Sequence, residues 1–95
     1  MDGEYPDDKE LDKIKNWQGE SLELMEYIKP MWKYFDCGYW IENKKTPIYH
    51  YELSTGGWSG NEDIIGAMME NTLFWIKNWY QSRRGGHYIF KIGVE

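Results

Sequence analysis

Cysteine is nearly absent: Cys37 is the only one in 95 residues, so no intramolecular disulfide can form, and a reducing compartment is the simplest setting. No apolar run approaches the ~18 residues of a membrane span. Residues 1–8 lack the basic and apolar regions of a secretory leader. The expected location is therefore the cytoplasm, with no membrane partner. One cysteine and two histidines fall short of a structural zinc set, and no metal or other cofactor is expected. Positive charge is also short, with 11 Lys and Arg against 16 Asp and Glu and a net charge of −5. Phosphate contacts need clustered cations, so direct nucleic-acid binding is disfavoured. Internal repeats and linker-like stretches are missing, which leaves a single domain over residues 1–95.

What the chain has instead is rings. Six Trp, eight Tyr and three Phe make it 18% aromatic. Each ring buries about 150–250 Å² when packed, enough to build a core in so short a chain without staples. The acids are unevenly placed. Residues 1–26 carry nine acids and three lysines, whereas the remainder carries seven acids and eight bases. The acidic third reads either as a solvated helix face or as a surface aimed at a basic partner, such as a nucleic-acid-binding protein.

Pro6-Asp7-Asp8 is a helix-start signal, and Leu11, Ile14 and Trp17 follow at helical spacing until Gly19 ends or kinks the helix. Ser21 is placed to cap a second short helix carrying Leu22, Met25 and Ile28 and stopping before Pro30. Residues 32–41 are rich in strand formers, with Gly38 a bend. Residues 42–47 read as a turn and 48–53 as the returning strand of a hairpin. Period-two geometry puts Tyr49, Tyr51 and Leu53 on one face and Ile48, His50 and Glu52 on the wetter one. Residues 54–58 form a Gly-rich loop. Ser59 and Glu62 match a capping box, opening one long helix from Gly60 to Gln81. Arg83-Arg84-Gly85-Gly86 would close that helix, and a last strand runs from His87 to Val94 with Tyr88, Phe90, Ile92 and Val94 on one face. The fold class is α+β: a three-stranded antiparallel sheet packed against one long helix, with N-terminal helical segments, in the order α(α)ββαβ.

Within the long helix, Ile64, Ile65, Met68, Met69, Trp75, Ile76, Trp79 and Tyr80 fall within about 160° of arc, extended by Leu73, and read as its core face. Phe74 stands on the polar side, either covered by the N-terminal segment or exposed as a partner contact.

The loop with Gly56, Gly57, Ser59 and Gly60 runs into a helix N-terminus, where free amides can hold an anion, but it lacks the spacing and lysine of a phosphate loop. A tight turn explains it as well. Arg83 and Arg84 could clamp a phosphate or carboxylate, or simply cap the helix. In this topology the two groups lie at opposite ends of the helix, roughly 30 Å apart at about 1.5 Å per residue. Cys37 beside His50 or His87 would make a nucleophile pair, and His50 with Glu52 an acid–base pair. Neither carries an activating signature, Cys37 reads as a small buried thiol, and no enzymatic activity is expected.

The stretches Ile48-Tyr49-His50-Tyr51-Glu52-Leu53, Gly57-Trp58-Ser59-Gly60-Asn61-Glu62 and Ser82-Arg83-Arg84-Gly85-Gly86-His87-Tyr88 resemble small proteins encoded by bacteriophages and prophages. The resemblance covers the C-terminal half, leaves residues 1–30 outside and brings no catalytic motif. It implies a compact binder that blocks a host protein, including components of host immunity. The expected function is thus a non-enzymatic interaction protein, with Asp7, Asp8, Glu10 and Asp12 steering association and Trp58 and Phe74 supplying desolvated contacts. The alternatives are a binder of a small anionic ligand or nucleotide through Gly56, Gly57, Ser59, Gly60, Arg83 and Arg84, and a homo-oligomeric structural component such as a homodimer.

Overall fold

The computed structural model describes residues 5–33 and 38–93, so the expectations placed on Cys37 and Val94 lie outside it. Helix α1 spans Asp8–Lys15 and starts as its sequence requires. Asp7 is the N-cap, its side chain accepts from the Glu10 amide at 2.8 Å, and the Glu10 side chain accepts from the Asp7 amide at 3.0 Å. Helix α2 spans Ser21–Ile28 and runs into a 3-10 turn at Lys29–Met31 containing Pro30. Ser21 is not its cap. Glu20 occupies that position without a side-chain bond, and the Ser21 hydroxyl accepts from Asn78 Nδ2 at 2.8 Å instead.

Strands β1 (Tyr39–Lys45) and β2 (Ile48–Ser54) form a hairpin in which Lys45 faces Ile48, so the turn is only Thr46 and Pro47, joined by a cis bond. The expected six-residue turn is strand as far as Lys45. Burial follows the predicted alternation: Tyr51 and Leu53 are fully buried, whereas Ile48, His50 and Glu52 are exposed. Trp32, buried below β1, donates its indole N–H to the carbonyls of Tyr39 at 3.0 Å and Ser54 at 3.2 Å, fastening the helical layer to the sheet. The Tyr51 hydroxyl is the single buried side-chain polar atom of the described residues without a hydrogen-bond partner. Burial, and then the nearby Glu42 carboxylate, push its ionisation far above the ordinary tyrosine range.

The long helix does not exist. Helix α3 spans Ser59–Glu70, helix α4 spans Thr72–Asn78, and residues 79–83 are a strand, β3 (Trp79–Arg83), leading into β4 (His87–Gly93). The sheet therefore has four antiparallel strands, not three, in the order β1-β2-β4-β3, with the helices on one face. The predicted Ser59–Glu62 capping box does not form. The helix begins one residue earlier, with Trp58 as N-cap and no side-chain cap bond, and the Ser59 hydroxyl lies 3.5 Å from that of Tyr5.

The break has one cause. Asn71 leaves helical geometry (φ −84°, ψ 84°) and becomes the N-cap of α4, accepting the Phe74 amide on its side-chain oxygen at 3.2 Å. Its side-chain N–H₂ donates to the carbonyls of Ile14 at 2.9 Å and Trp17 at 3.1 Å, the last turn of α1 and the residue beyond its C-cap. One buried amide thereby ends α3, starts α4 and satisfies the frayed end of α1.

Two substitutions of buried polar groups should move stability in opposite directions. Asn71→Ala removes a cap and takes a donor from two carbonyls, of which Ile14 keeps the Trp17 amide, and is expected to lower stability by about 2–4 kcal/mol, a fall of about 10–25 °C in melting temperature. Tyr51→Phe removes an unpaired hydroxyl and should be neutral or stabilising by about 1 kcal/mol. Thermal unfolding followed by circular dichroism measures both.

Candidate functional site

The redirected chain at Asn71 turns over the side chains that follow it. Phe74, placed by the continuous helix on the polar side, is only 5% exposed and packs against Phe90 with ring centroids 6.0 Å apart. Its expected role as a partner contact is corrected: it is core. Trp75 meets Phe90 edge-on at 5.5 Å and stacks on Trp79 at 6.0 Å. Of the residues assigned to the core face, Ile64, Ile65 and Met68 are buried and Trp75 packs on the core, while the others point outward. Leu73 is 82% exposed, Ile76 76%, Tyr80 54% and Trp79 42%, and Met69, at the end of α3, is exposed too. Leu73 and Ile76 lie one turn apart on α4. Trp79 donates its indole N–H to the Ser82 hydroxyl at 2.8 Å, and the Lys91 ammonium sits 3.7 Å over the Tyr80 ring on the open side of the sheet. Eight consecutive residues thus carry four large exposed apolar side chains. A groove of about 360 Å³ adjoins them, with Trp17 and Gly19 on one side, Leu73 and Lys77 on the other and Asn71 and Phe74 between.

The two edges of the sheet differ in kind. On β1, Glu42 pairs with Lys29 at 3.2 Å and with Lys44 at 3.5 Å, and Lys44 pairs with Glu26 at 3.2 Å. Burial alone would raise the Glu42 carboxyl, but the Trp40 indole N–H bonded to it and the two ammonium groups outweigh that and hold it below the usual carboxylate range. Charges at an edge discourage further strand pairing. Edge strand β3 reads Trp79-Tyr80-Gln81-Ser82-Arg83, with no acid and no proline, and its protection is limited to a register shift between Trp79 and Gln81.

The acids expected to face a partner are divided. Asp7 and Glu10 are engaged in the capping box, and Asp12 lies 3.9 Å from Lys15, while Asp8 is exposed in the first turn of α1. Trp58 is half-buried against Tyr5, at 4.9 Å, and covers Gly60, where an added Cβ would strike the ring. Arg83 and Arg84 do not cap a helix: Arg83 ends β3 opposite His87, and Arg84-Gly85-Gly86 is the hairpin turn, with both glycines at positive φ. The two anion-binding candidates are also not ~30 Å apart. The Thr55 amide donates to the Gly86 carbonyl at 3.0 Å, and Ser54 faces His87, so the Gly56–Gly60 loop and the arginine turn share one end of the sheet. The Gly56 and Gly57 amides, however, donate to the Ser54 and Thr55 hydroxyls at 3.4 and 3.3 Å, which uses the donors an anion would need. On the open face beside them, the Tyr39 hydroxyl lies 3.3 Å from His87 Nδ1 across the sheet. His50 and Glu52 are two residues apart on the same open face. Among the described residues no group of three or more His, Cys, Asp or Glu side chains is disposed to hold a metal ion, and no helix is long and apolar enough to cross a membrane.

A helical period carried across Asn71 hides Leu73, Ile76, Trp79 and Tyr80 as a surface. Two signals stood against that reading. Asn71-Thr72 is an N-cap signature inside the supposed helix, and four consecutive apolar residues, 73–76, cannot all lie on one helical stripe.

Comparison of the chain with protein-family models, with curated proteins and with solved structures returns no match.

The charged β1 edge predicts an acid-sensitive fold. A carboxyl held below its unfolded value stabilises the protein above that value, about pH 4.3 for glutamate, and the contribution is lost as pH falls through the folded value. Urea unfolding at successive pH values should show wild-type stability dropping below about pH 4.3 more steeply than that of Glu42→Gln.

Proposed function

We propose that this chain is a non-enzymatic interaction protein that binds and blocks another protein, using α4 and the edge strand β3 as its contact surface. The observation that carries this reading is the exposure of Leu73, Ile76, Trp79 and Tyr80 within eight residues. Leaving an aliphatic side chain in water forgoes about 1.5–3 kcal/mol relative to burying it. A small domain has only about 5–15 kcal/mol in total. Two aliphatic and two aromatic side chains held out on one stretch are the composition of a contact centre, where Trp and Tyr dominate binding energy. The phage-like stretches of the C-terminal half point to a host protein as the partner.

The contact centre differs from the one expected from the sequence, with α4 and β3 replacing Trp58 and Phe74. Its charge differs too. Asp8 and Asp12 contribute to the long-range field of an acidic molecule, but residues 71–93 hold Lys77, Arg83, Arg84 and Lys91 and no acid. A second copy of the chain on the same surface is the competing occupant.

Because Leu73 and Ile76 are exposed, Leu73→Glu with Ile76→Glu should leave the melting temperature within about 3 °C of wild type. The same pair should abolish retention of the cellular proteins that wild type captures by crosslinking from a bacterial lysate. Identical captured sets for the two forms would refute the surface. Sedimentation of the purified chain distinguishes the homodimer, which the same pair would dissociate.

A further inference from the structure

We infer that the segment seated on this surface is an extended, acidic stretch of the partner polypeptide, added alongside β3 as a fifth strand. This deepens the interaction reading above and rests on it.

The backbone supplies the first reason. β3 pairs with β4 on one side only, so its other side presents unpaired N–H and C=O groups, a template for strand addition. β1, the other edge, is closed to such pairing by the Glu42, Lys44 and Lys45 side chains and their ties to α2. The layer beneath β3 is apolar. Trp79 faces the helical side of the sheet, stacked on Trp75, and α4, which leads directly into β3, carries Leu73 and Ile76 exposed on its outer side. An added strand, whose side chains alternate between two faces, would set its apolar residues toward α4.

The charges supply the second. All five ion pairs among the described residues use Lys15, Lys29 or Lys44. None uses Lys77, Arg83, Arg84 or Lys91. Arg83 reaches only Gln81, at 3.5 Å, and Lys91 lies over the Tyr80 ring. Among the described residues none of these four has an acidic ion-pair partner; Arg83 lies on β3 itself, Arg84 in the turn that follows it and Lys91 over the Tyr80 ring of the same strand, and carboxylates on the alternate positions of an added strand would pair with them. A long polyanion fits less well. A nucleic acid or an anionic membrane extends beyond the Debye length of about 8 Å and so meets the field of a molecule whose net charge is −5. A short acidic segment meets only the local one.

The full-length chain should be used to select from a random peptide display library, with oligothymidylate and phosphatidylserine vesicles as parallel probes. The expected winners alternate Asp or Glu with β-branched or aromatic residues. Their affinity should fall about tenfold or more on Arg83→Glu with Arg84→Glu, and on Leu73→Glu with Ile76→Glu, at unchanged melting temperature. Winners with no acidic bias, still lost on Leu73→Glu with Ile76→Glu, would overturn the acidic strand and leave the interaction surface standing. So would binding to oligothymidylate or vesicles in place of peptides. Selection of nothing, or of peptides indifferent to both pairs of substitutions, would overturn the strand and the surface together.

Discussion

A buried carboxamide, that of Asn71, is the contact on which the rest of this structure depends. Its N–H₂ holds the Ile14 and Trp17 carbonyls, its oxygen holds the Phe74 amide, and its backbone amide closes α3 on the carbonyls of Ala67 and Met68. Three helices meet at one side chain. A buried polar group is stabilising only when satisfied, and here each bond is to a backbone group at a helix end, the Ile14 carbonyl being shared with the Trp17 amide at 3.3 Å. Asn78 repeats the device at the other end of α4, donating to the Phe74 carbonyl at 3.1 Å and the Ser21 hydroxyl, and the chain turns from helix into β3 one residue later.

The consequence is an exchange of faces. Once α4 starts afresh at Thr72, Phe74 and Trp75 point to Phe90 and close the core, while Leu73 and Ile76 point to water. Residues that a continuous helix would have buried become strand β3, which gives the sheet its fourth strand and its open edge. The apolar surface is thus a product of the same event that completes the core. It is also the region where, among the described residues, the cations enter no ion pair.

Much of the fold was legible in the sequence, for reasons that can be named. The start of α1 was legible from Pro6-Asp7-Asp8, although its capping box between Asp7 and Glu10 was not, and alternation was legible at β2 and β4, where one face is buried. The α+β class followed from the same signals. The failures came where a tertiary bond overrode a local one. Ser59 and Glu62 had the spacing of a capping box, but the chain entered the helix at Trp58; Ser21 could cap, but Asn78 claimed its hydroxyl. At Asn71 the local cap signature marks the break, but the carbonyls that fix its side chain, at Ile14 and Trp17, are more than fifty residues away and lie outside any local pattern. The misplaced site followed from a helical period carried across Asn71. Which rings stay exposed, Trp79 and Tyr80 rather than Phe74, is decided by the break. The approach of Thr55 to Gly86 was hidden for the same reason, since a helix through residue 81 would have carried the arginines away from the glycine loop.

Backbone NMR of the whole chain tests this most directly. The account predicts helical chemical shifts that stop at Asn71 and resume through residue 78, extended shifts over residues 79–83, a cross-strand proton contact between Ser82 and Tyr88, and slow exchange at the Phe74 amide bonded to Asn71. Uninterrupted helical shifts from residue 60 to residue 81, with no contact between Ser82 and Tyr88, would contradict it.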